Sequence, residues 1–594
     1  MQNVSYNYYS LKKLEIMANG ELPKEFEVIV IGTGLEESIV AAACARNGHS
    51  VLHLDSNDFY GDQWASFTFE GLQKWLDGSR AKSDEKEDSQ AEPKVLKDLL
   101  ENGETLLPLD HEKTVTKISE DFHAKEVKET LKSDEEEEER KSDTPVVVEP
   151  WTKAKLLANS RHFNLDLTPR LLFSKGSMVE LLISSNVSRY TEFKSVTRVL
   201  THLNGKLEHV PSSRADVFST KHISVIEKRL LMKYLTFCLN YQEHLDKIEP
   251  DLQRPYEEFL KKEKLTPTLI HFIMNSIAMV PKSVNCEEGL KSTQKFLASL
   301  GRFGFTPFLW PMYGTGELPQ AFCRLSAVFG GTYFLSRPID GIIYKENQVQ
   351  GVIVDGQRIN CSYLVIARKL CPQALRTESN EKQTVFRDIH LLKSSILTSE
   401  KEELSFLTLP GSEETEDGQS QSYVMEVGHG ASACPRGMYS LQVNSLKSDT
   451  FETMVQPLLT QDQLIYSLRW KRTYETLKKT LNGNVALCHD PVFELDFDEA
   501  IAHARNMFDA IFPGEDFLPR APEPEEIILG DESITAEEEV AHDENPPKPE
   551  ERTSTEVKSQ DPKKSEKEKV EDDQKEESML TEQSAANENE AQDQ

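Results

Sequence analysis

The sequence predicts an α/β protein built on a nucleotide-type βαβ unit, and three observations predict it. Val28, Ile29, Val30 and Ile31 form a continuous apolar run, the pattern of a parallel strand buried on both faces. Gly32-Thr33-Gly34 follows directly and opens an alanine-rich stretch that stops at Gly48. A second apolar run, Val51 to Leu54, ends on Asp55. Strand, glycine turn, helix, strand and acid, in that order, are the layout of a dinucleotide-binding (Rossmann-type) unit. One position departs from it: the third glycine of G-x-G-x-x-G is Glu37. A carboxylate there suits the positive end of the helix dipole, yet it competes with a pyrophosphate for the same place. The residues read as an inherited scaffold that has lost its cofactor.

Further elements follow in order. Phe59-Tyr60-Gly61 makes a turn towards Trp64 and a short helical piece at Leu72–Trp75. Apolar structure resumes at Phe163–Leu167, and Arg189–Lys194 opens a strand region through Val210 with a turn at Asn204-Gly205. Ser219 or Thr220 is placed to cap a helix carrying Ile223, Ile226, Leu230, Tyr234, Phe237 and Tyr241 at helical spacing. Thr266-Pro267 starts another, with proline at its first position. Its residues Leu269, Ile270, Phe272, Ile273, Met274, Ile277 and Met279 are apolar nearly all round, so it either lies deep in a core or lines an apolar pocket. A third helix spans about Glu288–Leu300.

From Gly330 the pattern returns to sheet. Val349–Val354 and Arg358–Asn360 flank Asp355-Gly356 as a hairpin, and Tyr363–Ala367 reads as a buried strand. A strand at Val485–Cys488 and a helix at Ala500–Ile511 complete an FAD-oxidoreductase-like two-domain fold, a Rossmann-type unit plus a mixed sheet, with a smaller all-helical domain. The late turn, Leu487-Cys488-His489-Asp490-Pro491, lacks the Gly-Asp pair that FAD enzymes set beside the flavin, so no FAD is expected.

Composition bounds the partners. The 594 residues carry a formal net charge of −32, which argues against nucleic acid as a partner. Much of that charge lies in residues 79–144, around Asp134–Glu139, and in the tail after about Gly530. Both segments have the composition of disordered chain. The eight cysteines are scattered with no CxxC pair, as reduced thiols of a cytosolic protein would be. No run of about twenty apolar residues is present to span a membrane. The start reads as no secretory signal and the final AQDQ as no prenylation box, so any lipid handling is expected of a soluble binder. The domain reading is 1–21 N-terminal extension, 22–78 dinucleotide-fold unit, 79–150 disordered acidic insert and 151–216 return to the sheet domain. Then come 217–303 helical domain, 304–525 completed sheet domain and 526–594 disordered acidic tail.

The stretches VIVIGTGLEESIVAAAC, VLHLDSNDFYG, SNVSRYTEFK, LTPTLIHFIMNSIAM and FGFTPFLWPMYGTGELPQAFCRLSAVFGGTYFLSRP resemble the Rab escort protein / GDP-dissociation inhibitor family. That family shares the FAD-enzyme scaffold without using flavin. The long insert, the acidic tail and SRADVFSTKHISVIEKRLLMKYL are similar to the escort branch. The resemblance implies GDP-bound Rab GTPases, unprenylated and prenylated, as partners. It also implies the α/β heterodimer of Rab geranylgeranyltransferase, a carried geranylgeranyl lipid, and transient membrane contact by a cytosolic, non-catalytic accessory protein.

At about 100° per residue, Glu317, Gln320 and Arg324 fall within roughly 60° of one another, while Leu318, Phe322, Leu325 and Phe329 share another arc. An acid–amide–base stripe suits a polar partner, and an ordinary solvated helix face has the same spacing. The resemblance assigns these three, with Tyr60, to Rab binding. It likewise assigns Phe218 and Arg229 to the prenyltransferase, where the residues alone read as a hydrophobic staple on Ile223 and a solvated charge. It also draws a prenyl pocket from Leu230, Tyr234, Phe237, Ile270, Ile273 and Met274. A further patch at Ile343, Val352 and Val354 is a candidate seat for the GTPase's C-terminus. His489-Asp490 reads as an exposed turn, and no residues have metal-ligand spacing. Two alternatives stand beside the escort role: a pure GDP-dissociation inhibitor recycling prenylated Rabs, and an FAD-dependent oxidoreductase.

Overall fold

The βαβ unit forms from β1 (Glu25–Ile31), α1 (Leu35–Arg46) and β2 (Val51–Leu54), with β1 and β2 parallel. The unbroken apolar run of β1 serves two cores. Val28 and Val30 pack with α1, and Ile29 and Ile31 pack on the opposite face against Ile342, Val352 and Ile366. The computed structural model describes residues 22–84, 94–123, 150–203, 205–210, 223–377, 379–410, 421–460, 462–477 and 479–520. These lie in the unit Met1–Glu523, and the second unit, Pro524–Gln594, is outside the described residues.

The elements that matter below continue with α2 (Phe69–Asp84), β3 (Thr105–Leu107), β4 (Val115–Phe122), β5 (Arg198–Leu203) and β6 (Lys206–His209). The helical segment contains α3 (Val225–Leu239), α4 (Tyr256–Lys262), α5 (Pro267–Phe272) and α6 (Cys286–Ser299). After α7 (Glu317–Val328) come β7 (Thr332–Phe334), β8 (Ile339–Lys345), β9 (Gln348–Val354) and β10 (Gln357–Ala367). Then follow β11 (Ser379–Leu392), β12 (Ser405–Leu409), β13 (Ser422–Gly428), β14 (Tyr439–Ser445) and β15 (Leu464–Leu477). The chain closes with β16 (Val485–Cys488) and α8 (Asp498–Ile511).

The first sheet has nine strands, with the path β7-β2-β1-β10-β9-β8-β3 and β16 joined to β10. Strand β10 is continuous: its first residues pair antiparallel with β9, and its later ones run parallel to β1 and β16. The second sheet has eight strands in the order β6-β5-β12-β13-β14-β11-β15-β4.

Several expectations change. The acidic insert is not wholly without structure: β3 edges the first sheet against β8, and β4 edges the second against β15. Edge strands need only one paired side, so a charged, half-exposed sequence can hold them. Ser224 caps α3, through a capping box with Glu227; Ser219, Thr220 and Phe218 lie outside the described residues. Thr266 and Pro267 do start α5, but at Ile273–Ile277 it passes into a π-helical turn against β5 and β12. Ile343, Val352 and Val354 are buried, so they form core and no surface patch. His489 and Asp490 are buried too.

Candidate functional site

The glycine turn is closed from within. Gly32 turns the chain at φ 108°, and a methyl group on Gly34 would collide with the Glu37 carboxyl, which folds back over the turn. Burial first, then the charges of Glu36 and Asp62, push that carboxyl well above its usual range, with Lys369 acting the other way. Burial therefore disfavours charge on Glu37 at this helix end. Asp55 is equally engaged. It accepts from Thr33 N at 3.0 Å, Thr33 Oγ1 at 2.6 Å and Asn57 N at 2.8 Å. Burial, with Asp62 beside it, raises its pKa to about 6. In a dinucleotide site these are the places of the pyrophosphate and the ribose hydroxyl. The residues present do not fit such a cofactor.

The closed cradle positions Tyr60. Gly61 N donates to Thr33 O at 3.0 Å and to Thr33 Oγ1 at 3.2 Å, so the turn after β2 is tied to the glycine turn. The Tyr60 ring meets Tyr333 edge-on, with centroids 5.9 Å apart. Burial and the Tyr333 hydroxyl push the Tyr60 pKa up.

Helix α7 is held beside it by a buried acid. Asp166 accepts from Thr315 N at 2.8 Å, from Thr315 Oγ1 at 3.1 Å and from Ser66 Oγ, and Ser66 Oγ accepts from Gly316 N at 2.8 Å. This explains the glycines of YGTGELPQ: Gly314 has φ 96°, and a side chain there would strike Asp166 and Ser66. Leu318, Phe322 and Leu325 are buried against α1. Phe329 is only half-buried, under the Arg46 guanidinium at 4.2 Å. On the outer face Gln320 and Arg324 are exposed and Glu317 is half-buried. Burial raises the Glu317 pKa. Neither Glu317 nor Arg324 makes an ion pair among the described residues. The Arg324 guanidinium lies over the Tyr190 ring at 4.5 Å. Asp166, Ser66, Thr315 and Tyr190 were not singled out from the sequence, although the two glycines of YGTGELPQ signal a close approach of backbone.

In the helical segment Arg229 is exposed on α3 with Val225 (65% exposed) and Ile226 (72%), four and three residues back on one helix face. Tyr234, Ile270, Ile273 and Met274 are buried in one apolar cluster, with Leu230 and Phe237 partly buried against it. Tyr234 is tied through Tyr256 to Thr293 by hydroxyl contacts of 2.7 and 2.8 Å.

The structure also gathers Glu36, His489 and His503, whose potential ligand atoms lie within 4.8 Å of one another. No sequence spacing signalled this, because they come from α1, the turn after β16, and α8. Glu36 accepts from His489 N at 2.8 Å, and the two imidazoles stack at 3.8 Å. Burial works against the charge on Glu36, but the two imidazoles outweigh it and hold its pKa below the usual value.

Fold and site define a class: a two-sheet α/β protein of dinucleotide-binding layout, its phosphate end filled by its own side chains and a polar helix face turned outward. The solved Rab GDI of Plasmodium falciparum has this fold, with a TM-score of 0.59 over 83% of this chain and 99% of that one, at 17% identity. The chain belongs to the GDP dissociation inhibitor family, whose sequence profile matches residues 22–120 and 149–485. It is 36% identical to Rab proteins geranylgeranyltransferase component A of Drosophila melanogaster, over 86% of this chain and 93% of that protein. It is 33% identical to component A 2 of Mus musculus, over 86% and 99%. Rab escort protein 1 of Arabidopsis thaliana is 26% identical over 86% and 97%.

Proposed function

We propose that the chain is a Rab escort protein: a non-catalytic accessory that binds newly made GDP-bound Rab GTPases and presents their C-terminal cysteines to Rab geranylgeranyltransferase. It then carries the prenylated product to membranes. The observation that carries this reading is the outward face of α7, with Glu317 and Arg324 lacking charged partners among the described residues, and Tyr60 in a turn tied to the closed cradle. The names of the 33–36% identical relatives support the transferase as the second partner. Presentation raises the local concentration of a tail the enzyme meets poorly by itself. Preference for the GDP form follows from contacts with switch regions that the γ-phosphate rearranges.

Arg229, with exposed Val225 and Ile226, offers an apolar-plus-arginine surface suited to the transferase, and Phe218 is its proposed companion. The cluster of Tyr234, Ile270, Ile273 and Met274, edged by Leu230 and Phe237, is the proposed seat of the geranylgeranyl chain. Each buried methylene contributes about 0.8 kcal/mol, so a long isoprenoid gains much from an apolar seat. No helix among the described residues is long and apolar enough to cross a membrane. Membrane contact is proposed to be transient and made from the cytosol. The deciding experiment is reconstituted prenylation with purified transferase and Rab. Stimulation by this chain, lost on Phe218→Ala with Arg229→Ala, is expected. Equal prenylation without the chain sinks the escort role and leaves the recycling inhibitor.

A further inference from the structure

Three arginines lie in the interior with most of their donors unused. Arg170, Arg387 and Arg472 are each 1% exposed or less. Arg387 on β11 and Arg472 on β15 are diagonal neighbours on one sheet face, since Val385 pairs with Arg472 and Arg387 with Trp470. Arg170 reaches them from the segment after Asp166. Two bonds hold the group: Arg472 Nη1 donates to Thr168 Oγ1 at 2.8 Å, and Arg170 Nη2 donates to Val492 O. The remaining nitrogens, Nε and Nη1 of Arg170, Nε and Nη2 of Arg472, and all three of Arg387, have no hydrogen-bond partner among the described residues.

Charge is as uneven as hydrogen bonding. Glu494 and Asp496 act on Arg170, and Asp490 and Asp62 act on Arg472. Arg387 is met by Arg170 and Arg472, both unfavourably, and by the Tyr474 hydroxyl, with no carboxylate acting on it among the described residues. A guanidinium cannot shed its proton to escape burial, and a buried charge without partners is strongly unfavourable. Arg387 and Arg472 share one sheet face, Arg170 is close enough to act on both, and their unused donors suit the oxygens of a tetrahedral oxyanion, which arginine binds bidentately. A cavity of about 520 Å³, lined at its exposed rim by Lys74, Lys113 and Asp58, reaches inward to Lys369 and Arg472. Of its inner acids, Asp62 is held by Lys369, and Glu112 by Arg368 and Arg376.

We propose that Arg170, Arg387 and Arg472 form an interior site for a small inorganic oxyanion of the phosphate class, reached through the cavity that Arg472 lines. The site is separate from the glycine turn that Glu37 closes, and it does not depend on the escort role. The bare Arg387 is the residue it explains.

The full chain, purified in phosphate and passed into phosphate-free buffer, is denatured in acid and the released phosphate assayed by molybdate colorimetry. Equilibrium dialysis with radiolabelled inorganic phosphate, and thermal unfolding with and without it, complete the test. One phosphate per chain, by release or by saturable uptake, and a Tm that rises with phosphate are expected. Arg387→Met should abolish both, and Arg472→Lys should weaken uptake by about tenfold or more. Should Arg387→Met fail to fold, Arg472→Lys and Arg170→Lys carry the comparison. Neither release nor uptake by the wild type means that the space holds only water, and overturns the proposal. Retained phosphate in Arg387→Met also overturns it, as does binding of ADP with no binding of inorganic phosphate.

Discussion

The glycine turn, to which the Tyr60–Gly61 turn is tied, and the outer face of α7 have polar groups with opposite fates. At the turn, Asp55, Thr33, Gly61 and Glu37 satisfy or fill one another, and nothing is left to hold a ligand. On α7, Glu317 and Arg324 have no charged partner among the described residues, and the Arg324 guanidinium lies over the Tyr190 ring. A scaffold that binds dinucleotides at its strand ends has turned those ends into internal fastenings, and the unsatisfied chemistry has moved one helix outward. Polar satisfaction thus separates the two regions where fold alone cannot, since fold does not decide function.

The harshest way to break this contrast is to remove the fastening of α7. Asp166→Ala leaves the Thr315 amide and the Ser66 hydroxyl without their acceptor, while Thr315 Oγ1 keeps only Thr168 O. Loss of stability by roughly 3–5 kcal/mol is expected, read from urea unfolding, together with loss of Rab capture. Intact capture by a folded Asp166→Ala protein would mean that α7 is not the platform.

Asp55 gives a test by pH. Its folded pKa, about 6, lies above the ordinary carboxyl value of 3.8. Between those values the native state binds more protons than the unfolded chain, so this group's contribution to stability falls as pH rises from about 4 to about 6. Asp55→Asn removes that slope. Relative to wild type, the variant should gain roughly 2–3 kcal/mol between pH 4 and pH 7. A constant difference across that range would show that Asp55 is not held as a buried acid.

The sequence carried the first of the two regions further than the second. Val28–Ile31, the glycine turn and Asp55 are local signals, and Glu37 announced itself by standing where a glycine belongs. The outward stripe of α7 was legible because helical spacing is also local. What was hidden depends on residues far apart in the chain. Asp166 meets Thr315, His489 meets Glu36, and β4 finds its edge on β15 some 350 residues later. A charge-rich composition suggested disorder for 94–123, yet an edge strand asks little of its sequence when a long partner such as β15 supplies the template. Arg387 and Arg472 each look like ordinary surface charges until the sheet register brings them inward, and Arg170 is brought to them by the segment after Asp166.

Smaller effects sharpen the platform itself. Arg324 is exposed, so Arg324→Ala should leave unfolding unchanged. It should weaken unprenylated Rab by about 1–3 kcal/mol if its guanidinium meets an acceptor on the GTPase, measured by titration calorimetry. Unchanged affinity removes Arg324 from the site while leaving Glu317 and Tyr60 to be tested. Arg229→Ala is the mildest case. An exposed helix residue flanked by Val225 and Ile226 contributes little to the fold, and one arginine at an interface edge is worth about 1 kcal/mol. Affinity for the transferase should therefore fall several-fold, with Rab affinity and stability unmoved. A parallel loss of Rab binding would instead mean that the two surfaces are one, and the separation of α3 from α7 as docking faces would have to be abandoned.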